Sequence, residues 1–153
     1  MDGKMSSEPR KVVGQTASAG FQIGVRRTLP ISKEQAWELL ISPEGIELWI
    51  GEVKSINLSV GETFQSKEGI TGELRVVKPF QQLRMRWTAA NWERPSTLQI
   101  RLLSDKQYQT TISFHQEKLD GPDTREQMKL HWESVLATIM EWANLNSRLT
   151  LNG

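Results

Sequence analysis

The sequence predicts an α+β domain in which one antiparallel sheet packs against helices that lie outside the run of strands. Seven short segments carry strand signals, and in most of them hydrophobic residues alternate with polar ones, which is the period of half-buried strands. Two short helical segments follow the first of these strands, and one long helical segment follows the last. A run of strands with its helices set apart is typical of α+β architecture.

Length and composition fit one globular domain. The chain has 153 residues, of which 37% are hydrophobic and 24% are charged, values typical of a single soluble domain. Its 19 basic and 18 acidic residues give a net charge of +1, which argues against a dedicated nucleic-acid-binding protein. The absence of cysteine excludes disulfides and thiolate chemistry and is compatible with a reducing compartment, so a cytoplasmic protein is expected.

The two ends of the chain differ from its centre. Residues 1–20 are polar and aperiodic, so we expect a mobile arm there. The domain is predicted over 21–146, with a short tail over 147–153. No apolar run approaches the roughly 20 residues that a membrane-spanning helix needs.

Helix-start signals separate the first strand from the others. Phe21 to Leu29 alternates as a strand, and Ser32 with Gln35 forms the pattern of a capping box. Ser42 and Pro43 begin a second short helix. The remaining strands are predicted over 53–58, 61–66, 72–77, 82–88, 97–103 and 108–118.

A long C-terminal helix is predicted from Pro122 to Asn146. Its apolar stripe repeats at helical spacing and contains Met128, Trp132, Val135, Leu136, Ile139 and Ala143. No other predicted element is long enough to cover the buried face of the sheet. Because the sheet twists around this single helix, a gap can remain between them and become a pocket.

Several short motifs, in order, resemble one known family. They are Leu29-Pro30-Ile31-Ser32 with Ala36-Trp37, Leu48-Trp49-Ile50-Gly51, Val60-Gly61-Glu62-Thr63-Phe64, Gly72 to Pro79, Leu83-Arg84-Met85-Arg86-Trp87, and His131 to Leu136. Together they resemble the family of activators of the heat-shock ATPase (the Aha-type, AHSA-like family) within the START/SRPBCC helix-grip superfamily. The resemblance extends from about Phe21 to Asn146.

The resemblance implies a helix-grip fold. In that fold a curved antiparallel sheet of about seven strands, in the order β-α-α-β6-α, wraps around a long C-terminal helix. It also implies a cavity between sheet and helix that often holds an apolar small molecule. The superfamily contains ligand carriers, cyclase-like enzymes and co-chaperones, so fold alone does not fix function.

Our first hypothesis is therefore non-catalytic binding of an apolar small molecule between the sheet and the C-terminal helix. Tryptophan and other apolar side chains on the inward faces are the expected lining, although large aromatics also serve as ordinary core. The expected lining residues are Trp49, Phe64, Met85, Trp87, Ile100, Tyr108, Ile112, Phe114, Trp132, Leu136 and Met140.

A protein-interaction module, either co-chaperone-like or homodimeric, is the second hypothesis. Arginines alternate with apolar residues on neighbouring strands and could form a basic outer sheet face for an acidic partner. These arginines are Arg26, Arg27, Arg75, Arg84, Arg86 and Arg101. Glu73 and Glu93 are interspersed, as on an ordinary solvated face. Trp92 in a loop and Trp142 off the helix stripe are further candidate contact residues.

An enzyme of the cyclase or hydrolase type is the third hypothesis. It requires a polar group in the cavity, for which Tyr108, Thr110, Glu62 and Ser66 are the candidates. His115 and His131 have no neighbour at metal-ligand spacing, and no nucleophile elbow or phosphate-binding loop occurs. We therefore expect neither a catalytic set nor a cofactor or metal.

Overall fold

The structure is a computed structural model that describes residues 15–16 and 20–152, with the side chains of residues 20–145. Its strands are β1 (Gln15–Thr16), β2 (Gly20–Leu29), β3 (Thr63–Gln65), β4 (Thr71–Lys78), β5 (Gln82–Thr88), β6 (Ser96–Lys106) and β7 (Gln109–Leu119). Its helices are α1 (Lys33–Ile41), α2 (Pro43–Trp49) and α3 (Pro122–Asn152).

The strands form one antiparallel sheet in the order β1-β2-β7-β6-β5-β4-β3. The helices pack on one face of this sheet, so the predicted α+β helix-grip architecture is confirmed. Alternation along β5 puts Leu83, Met85 and Trp87 on the covered face. The opposite face, the outer face, is open to solvent.

The set of strands differs from the prediction in two places. Six of the predicted strands form, and the two-residue β1 adds to the edge beside β2. The predicted strand at Val53 to Leu58 is wrong, because this segment is irregular. Just before this segment, the Lys67 N–H donates a hydrogen bond to the Glu52 carbonyl at 2.9 Å, and the segment itself has no strand ladder.

Both short helices begin where their capping residues predict. The Ser32 hydroxyl accepts from Gln35 N at 3.1 Å, while the Gln35 side chain accepts from Ser32 N at 3.0 Å. Ser42 ends α1 and also caps α2, accepting from Gly45 N at 3.0 Å. This shared cap fixes the angle between α1 and α2 over the sheet.

Helix α3 covers the centre of the sheet with the predicted apolar stripe. Met128, Trp132, Val135, Leu136 and Ile139 are all buried in the core. The helix continues to Asn152, past the predicted end at Asn146. None of the helices in the described part of the chain is long and apolar enough to cross a membrane.

Candidate functional site

The space between the sheet and α3 gathers most of the expected lining residues. All of them except Tyr108 and Met140 are buried, and Met140 is half-buried against the same core. Tyr108 was placed wrongly on the inward face of the last strand. It lies in the β6–β7 turn, where it is 59% exposed.

Aromatic rings fill the centre of this space. Phe114 on β7 stacks on Trp132 of α3 with ring centroids 4.8 Å apart and planes 18° apart. Trp87 on β5 meets Trp132 edge-on at 5.6 Å, and Trp92 meets Trp87 in the same way at 5.5 Å. We call these four residues the aromatic cluster. Its rings contact one another directly, as they would in a packed core.

The buried indole N–H groups of this region have acceptors within the protein. Trp87 Nε1 donates to the Trp49 carbonyl at 2.8 Å, and Trp49 Nε1 donates to the Leu40 carbonyl at 2.9 Å. These bonds tie β5 to the end of α2 and α2 to α1. A ligand is not needed to satisfy either donor, which favours a structural role for both tryptophans.

A buried polar chain lies beside the aromatic cluster and was missed in the sequence. Trp132 Nε1 donates to Gln116 Oε1 at 2.7 Å, and Gln116 Nε2 donates to Ser96 Oγ at 2.8 Å. The Ser96 hydroxyl donates in turn to the Trp87 carbonyl at 2.6 Å. The alternation that placed Ile112 and Phe114 inward would also have placed Gln116 inward.

The polar residues proposed for an enzyme have structural partners or lie outside the interior. The Thr110 hydroxyl is buried and donates to the Ile31 carbonyl at 2.8 Å. Ser66 is buried, and its hydroxyl accepts from Ile70 N at 3.0 Å. Glu62 lies half-buried in the segment before β3. These residues do not form an acid–base pair facing the aromatic cluster.

The two histidines lie apart, on different elements. His115 on β7 pairs with Gly24 and Gln99 on the outer face, while His131 on α3 contacts the ring of its neighbour Trp132. Partial desolvation lowers the pKa of His131 below its usual value of 6.5. Within the described residues, no group of three His, Cys, Asp or Glu side chains could hold a metal ion.

A groove of about 550 Å³ lies beside α2, outside the filled interior. Its apolar walls come from both short helices and the irregular segment, and its rim carries Glu44, Glu47, Glu52 and Lys54. The apolar wall residues are Ile41, Pro43, Ile46, Val53 and Ile56. We call this feature the α2 groove.

The wall formed by the irregular segment is attached to the β3–β4 turn by Glu68. The Glu68 carboxylate accepts from Glu52 N at 3.0 Å. This bond, with further bonds from its own backbone N–H and from Ser66, lowers the pKa of Glu68 below 4.5. Together with the bond from Lys67 N to Glu52 O, it holds Glu52 at the groove rim.

The outer sheet face carries a group of basic side chains that we call the basic band. Register places Arg26, Ser113, Arg101, Gln82 and Lys78 side by side across five strands. Arg84 and Arg86 follow Gln82 on the same face of β5, and Arg75 lies in the β-bulge opposite Arg84. The members of the basic band are Arg26, Arg75, Lys78, Arg84, Arg86 and Arg101, all exposed.

The prediction that Arg27 belongs to this face is wrong. Arg27 pairs with Ile112, an inward-facing residue, so it lies on the side of the sheet that carries the helices. The β2 alternation resumes after an irregularity between Phe21 and Ile23. Because neighbouring residues on a strand face opposite ways, Arg26 and Arg27 cannot both belong to the outer face.

The other candidate contact residues are less exposed than expected. Trp92 and Trp142 are both half-buried and pack against the core. Trp92 closes one end of the aromatic cluster. The expected arm lies largely outside the described residues, apart from the pairing of Gln15 and Thr16 with β2.

Comparison of solved structures finds the same fold in proteins of low sequence identity. DynU16, from the dynemicin biosynthetic locus, aligns with 79% of this chain at 17% identity and a TM-score of 0.69. This chain spans only 46% of DynU16. An Hsp90 activator from Plasmodium falciparum aligns over 72% of this chain and 86% of its own at 17% identity, with a TM-score of 0.63.

A third structure is the Aha1 dimer from Colwellia psychrerythraea. It aligns over 80% of this chain and 95% of its own, at 16% identity and a TM-score of 0.64. No curated protein matches the sequence. The family model described as "Activator of Hsp90 ATPase homolog 1-like protein" matches residues 30–143. With most of the helix-grip domain inside that match, the chain belongs to the family of Hsp90 ATPase activator homologue 1-like proteins.

Proposed function

We propose that the protein is a protein-interaction module of the co-chaperone type. The observation that carries this proposal is the filled interior, where Phe114, Trp132 and Trp87 occupy the centre of the expected ligand cavity. A packed aromatic core supports a domain that presents a rigid surface. Ligand sites, by contrast, are usually preformed concave spaces.

Two structurally similar proteins support this proposal. The P. falciparum neighbour is an Hsp90 activator, and the Colwellia neighbour is a dimer of Aha1. A partner ATPase of the Hsp90 type is therefore the first candidate partner, and a second copy of this chain is the alternative. The lack of cysteine fits a cytoplasmic place of action for either assembly.

The experiment is an ATPase assay with purified Hsp90 from the same organism. We expect the protein to bind Hsp90 and change its rate of ATP hydrolysis in a concentration-dependent way. Light scattering of the protein alone tests the homodimer in parallel. An unchanged ATPase rate, no Hsp90 binding and a monomeric mass would together contradict the proposal.

Binding of an apolar small molecule is a second candidate function, and the α2 groove favours it. This groove lies beside the helix that ends at Trp49, and its lining includes five apolar residues. Binding deeper, between the sheet and α3, would require the Phe114 and Trp132 rings to separate. Native mass spectrometry of protein purified without detergent tests this function, since a bound ligand adds a mass that denaturation removes.

If the native mass equals the chain mass in every preparation, tight small-molecule binding is contradicted. If a ligand is found, Ile46→Ser in the α2 groove and Leu136→Ala under α3 separate the two locations. Loss of the added mass only in the first variant supports the groove. Loss only in the second supports the interior.

A further inference from the structure

We propose that the basic band on the outer sheet face binds an acidic polypeptide segment of the partner. This inference rests on the proposed function, because it names the surface and the partner chemistry of the same interaction module. The chain is nearly neutral, with 19 basic and 18 acidic residues, yet the six residues of the basic band lie together on one face of the sheet.

Two carboxylates on this face lie in the cross-strand row that contains Arg86. Glu73 lies on β4 beside Arg86, and the two form an ion pair at 3.2 Å. Glu117 on β7 is the cross-strand neighbour of Thr97. The row from Arg26 through Arg101 to Lys78 contains no carboxylate in its register positions. Such a row produces a positive local field within a near-neutral molecule.

Acidic side chains are instead concentrated on the short helices. Glu34 and Glu38 on α1 and Glu44 and Glu47 on α2 are all exposed. The helices cover the other side of the sheet, so these four carboxylates lie away from the basic band. This separation favours a local acidic segment over a long nucleic acid, which is usually bound by a chain with a basic excess.

The shape of the outer face provides places for side chains as well as charge. One depression of about 460 Å³ is lined by Arg75, Arg84, Arg86 and Lys118, with Thr97 beside them. A second, of about 610 Å³, is lined by Arg26, Arg101 and Asp105 among others. Arg75 reaches the first because the β-bulge between Leu74 and Val76 turns it outward.

The spacing of the band matches an extended peptide. Arg26, Arg101 and Lys78 lie on alternate strands of one row, so their backbones are about 10 Å apart, twice the ~4.8 Å strand spacing. Three residues of a polyproline II helix make one full turn and advance about 9 Å, so every third side chain points the same way. A segment that crosses the strands with Asp or Glu at every third position would therefore meet these cations in sequence.

The direct test uses a labelled synthetic peptide in which Glu recurs at every third position. Its neutral control has Gln in place of Glu. The band variant is Arg84→Glu with Arg101→Glu, and the charge-matched control is Lys33→Glu with Lys67→Glu, at exposed positions on α1 and in the β3–β4 turn. Circular dichroism and thermal melting verify that both variants fold.

We expect the Glu peptide to bind the wild-type protein, and the Gln peptide not to bind. The band variant should bind the Glu peptide at least about tenfold more weakly, a change that corresponds to ~1.4 kcal/mol, whereas the control variant should stay within about twofold of wild type. Binding should also weaken as salt rises, because exposed charges are screened. Arg84→Gln with Arg101→Gln should give an intermediate loss and serves as the second variant if charge reversal prevents folding.

Equal loss in the band and control variants would overturn the proposal, because it would reflect net charge rather than location. Tighter binding of a duplex oligonucleotide than of the Glu peptide would overturn it as well. Repeating the Hsp90 assay with both variants separates this inference from the proposed function. If the band variant still changes the ATPase rate of Hsp90, the role of the band is rejected and the co-chaperone function is retained. If the wild-type protein binds the Glu peptide but has no effect on Hsp90, the band is supported and the co-chaperone function is rejected.

Discussion

Trp132 on α3 and Gln116 on β7 are joined by a 2.7 Å hydrogen bond inside the core, from the indole N–H to the amide oxygen. Both side chains are fully buried. Gln116 also donates to Ser96, so one amide connects the long helix to two strands of the sheet. The core that fills the expected cavity therefore combines ring stacking with a fixed polar connection.

Replacement of Gln116 by Leu should lower the free energy of unfolding by about 1–3 kcal/mol, because it leaves the Trp132 N–H buried without an acceptor. The measurement is urea denaturation followed by tryptophan fluorescence. Trp132→Phe removes the donor and supplies the matched partner for a double-mutant cycle. In the double variant the two losses should be clearly less than additive.

Additive losses in that cycle would contradict the connection. They would mean that each side chain contributes through packing alone. Ser113→Ala on the outward face of β7 is a control for substitution in the same strand, since Ser113 lies between Arg26 and Arg101 away from the core. Its effect on unfolding should be within about 0.5 kcal/mol.

Most of the fold could be predicted because local signals agreed with the tertiary structure. Ser32 with Gln35 and Ser42 with Pro43 specify helix starts from side-chain chemistry alone. Strand β5 has strict alternation and was predicted with its observed bounds. The segment from Val53 to Leu58 contains β-formers, yet strand formation needs a pairing partner, which the sequence does not reveal.

The candidate site was less predictable for a related reason. Strand alternation and the helix stripe placed Trp87, Phe114 and Trp132 in the expected lining, but these patterns cannot tell whether such rings enclose a space or fill it. That depends on ring orientation and on the height of α3 above the sheet. Tyr108 was misassigned because the β6–β7 turn lies a few residues later than predicted, and a shift in the turn changes which residues face inward.

Gly72 and Gly24 should respond very differently to replacement by alanine. A Cβ at Gly72 would collide with the Arg86 carbonyl and the Phe64 ring, whereas at Gly24 the nearest atom is His115 Cδ2 at 3.7 Å. Gly72→Ala should therefore cost at least about 1–3 kcal/mol through overpacking. Gly24→Ala should be neutral or stabilise by up to about 1 kcal/mol, because it restricts the unfolded chain.

Thermal melting of these two variants provides the measurement. Each places alanine within a strand of the same sheet, so β-propensity is matched between them. Equal melting temperatures would contradict the close approach of β4, β5 and Phe64. They would show that the sheet relaxes at Gly72 at little cost.

Ser42 should be more sensitive to truncation than a cap that serves one helix. Its hydroxyl accepts from Gly45 N at the start of α2 and donates to the Leu39 carbonyl in α1 at 2.8 Å. Ser42→Ala removes both bonds and should cost about 0.5–2 kcal/mol. Ser42→Asp keeps the acceptor for Gly45 and should recover part of the loss, as measured by urea denaturation, whereas equal losses in both would contradict the capping role.

The attachment of the irregular segment by Glu68 should depend on pH. Hydrogen bonds from Glu52 N and from its own backbone hold the pKa of Glu68 below its usual 4.5. A carboxyl whose folded pKa is depressed stabilises the folded state above its unfolded pKa, and this contribution is lost as pH falls through the folded pKa. At neutral pH the bond to Glu52 is thus fully present, and it should open below pH 4.5.

An NMR titration measures this opening at two positions. The Glu68 carboxyl shift should have a midpoint below 4.5, and the Glu52 amide shift should change with the same midpoint. Glu68→Gln removes the titrating group, so the Glu52 amide should lose that transition while the rest of the spectrum is preserved. A transition of the Glu52 amide that persists in the variant would contradict the attachment by Glu68.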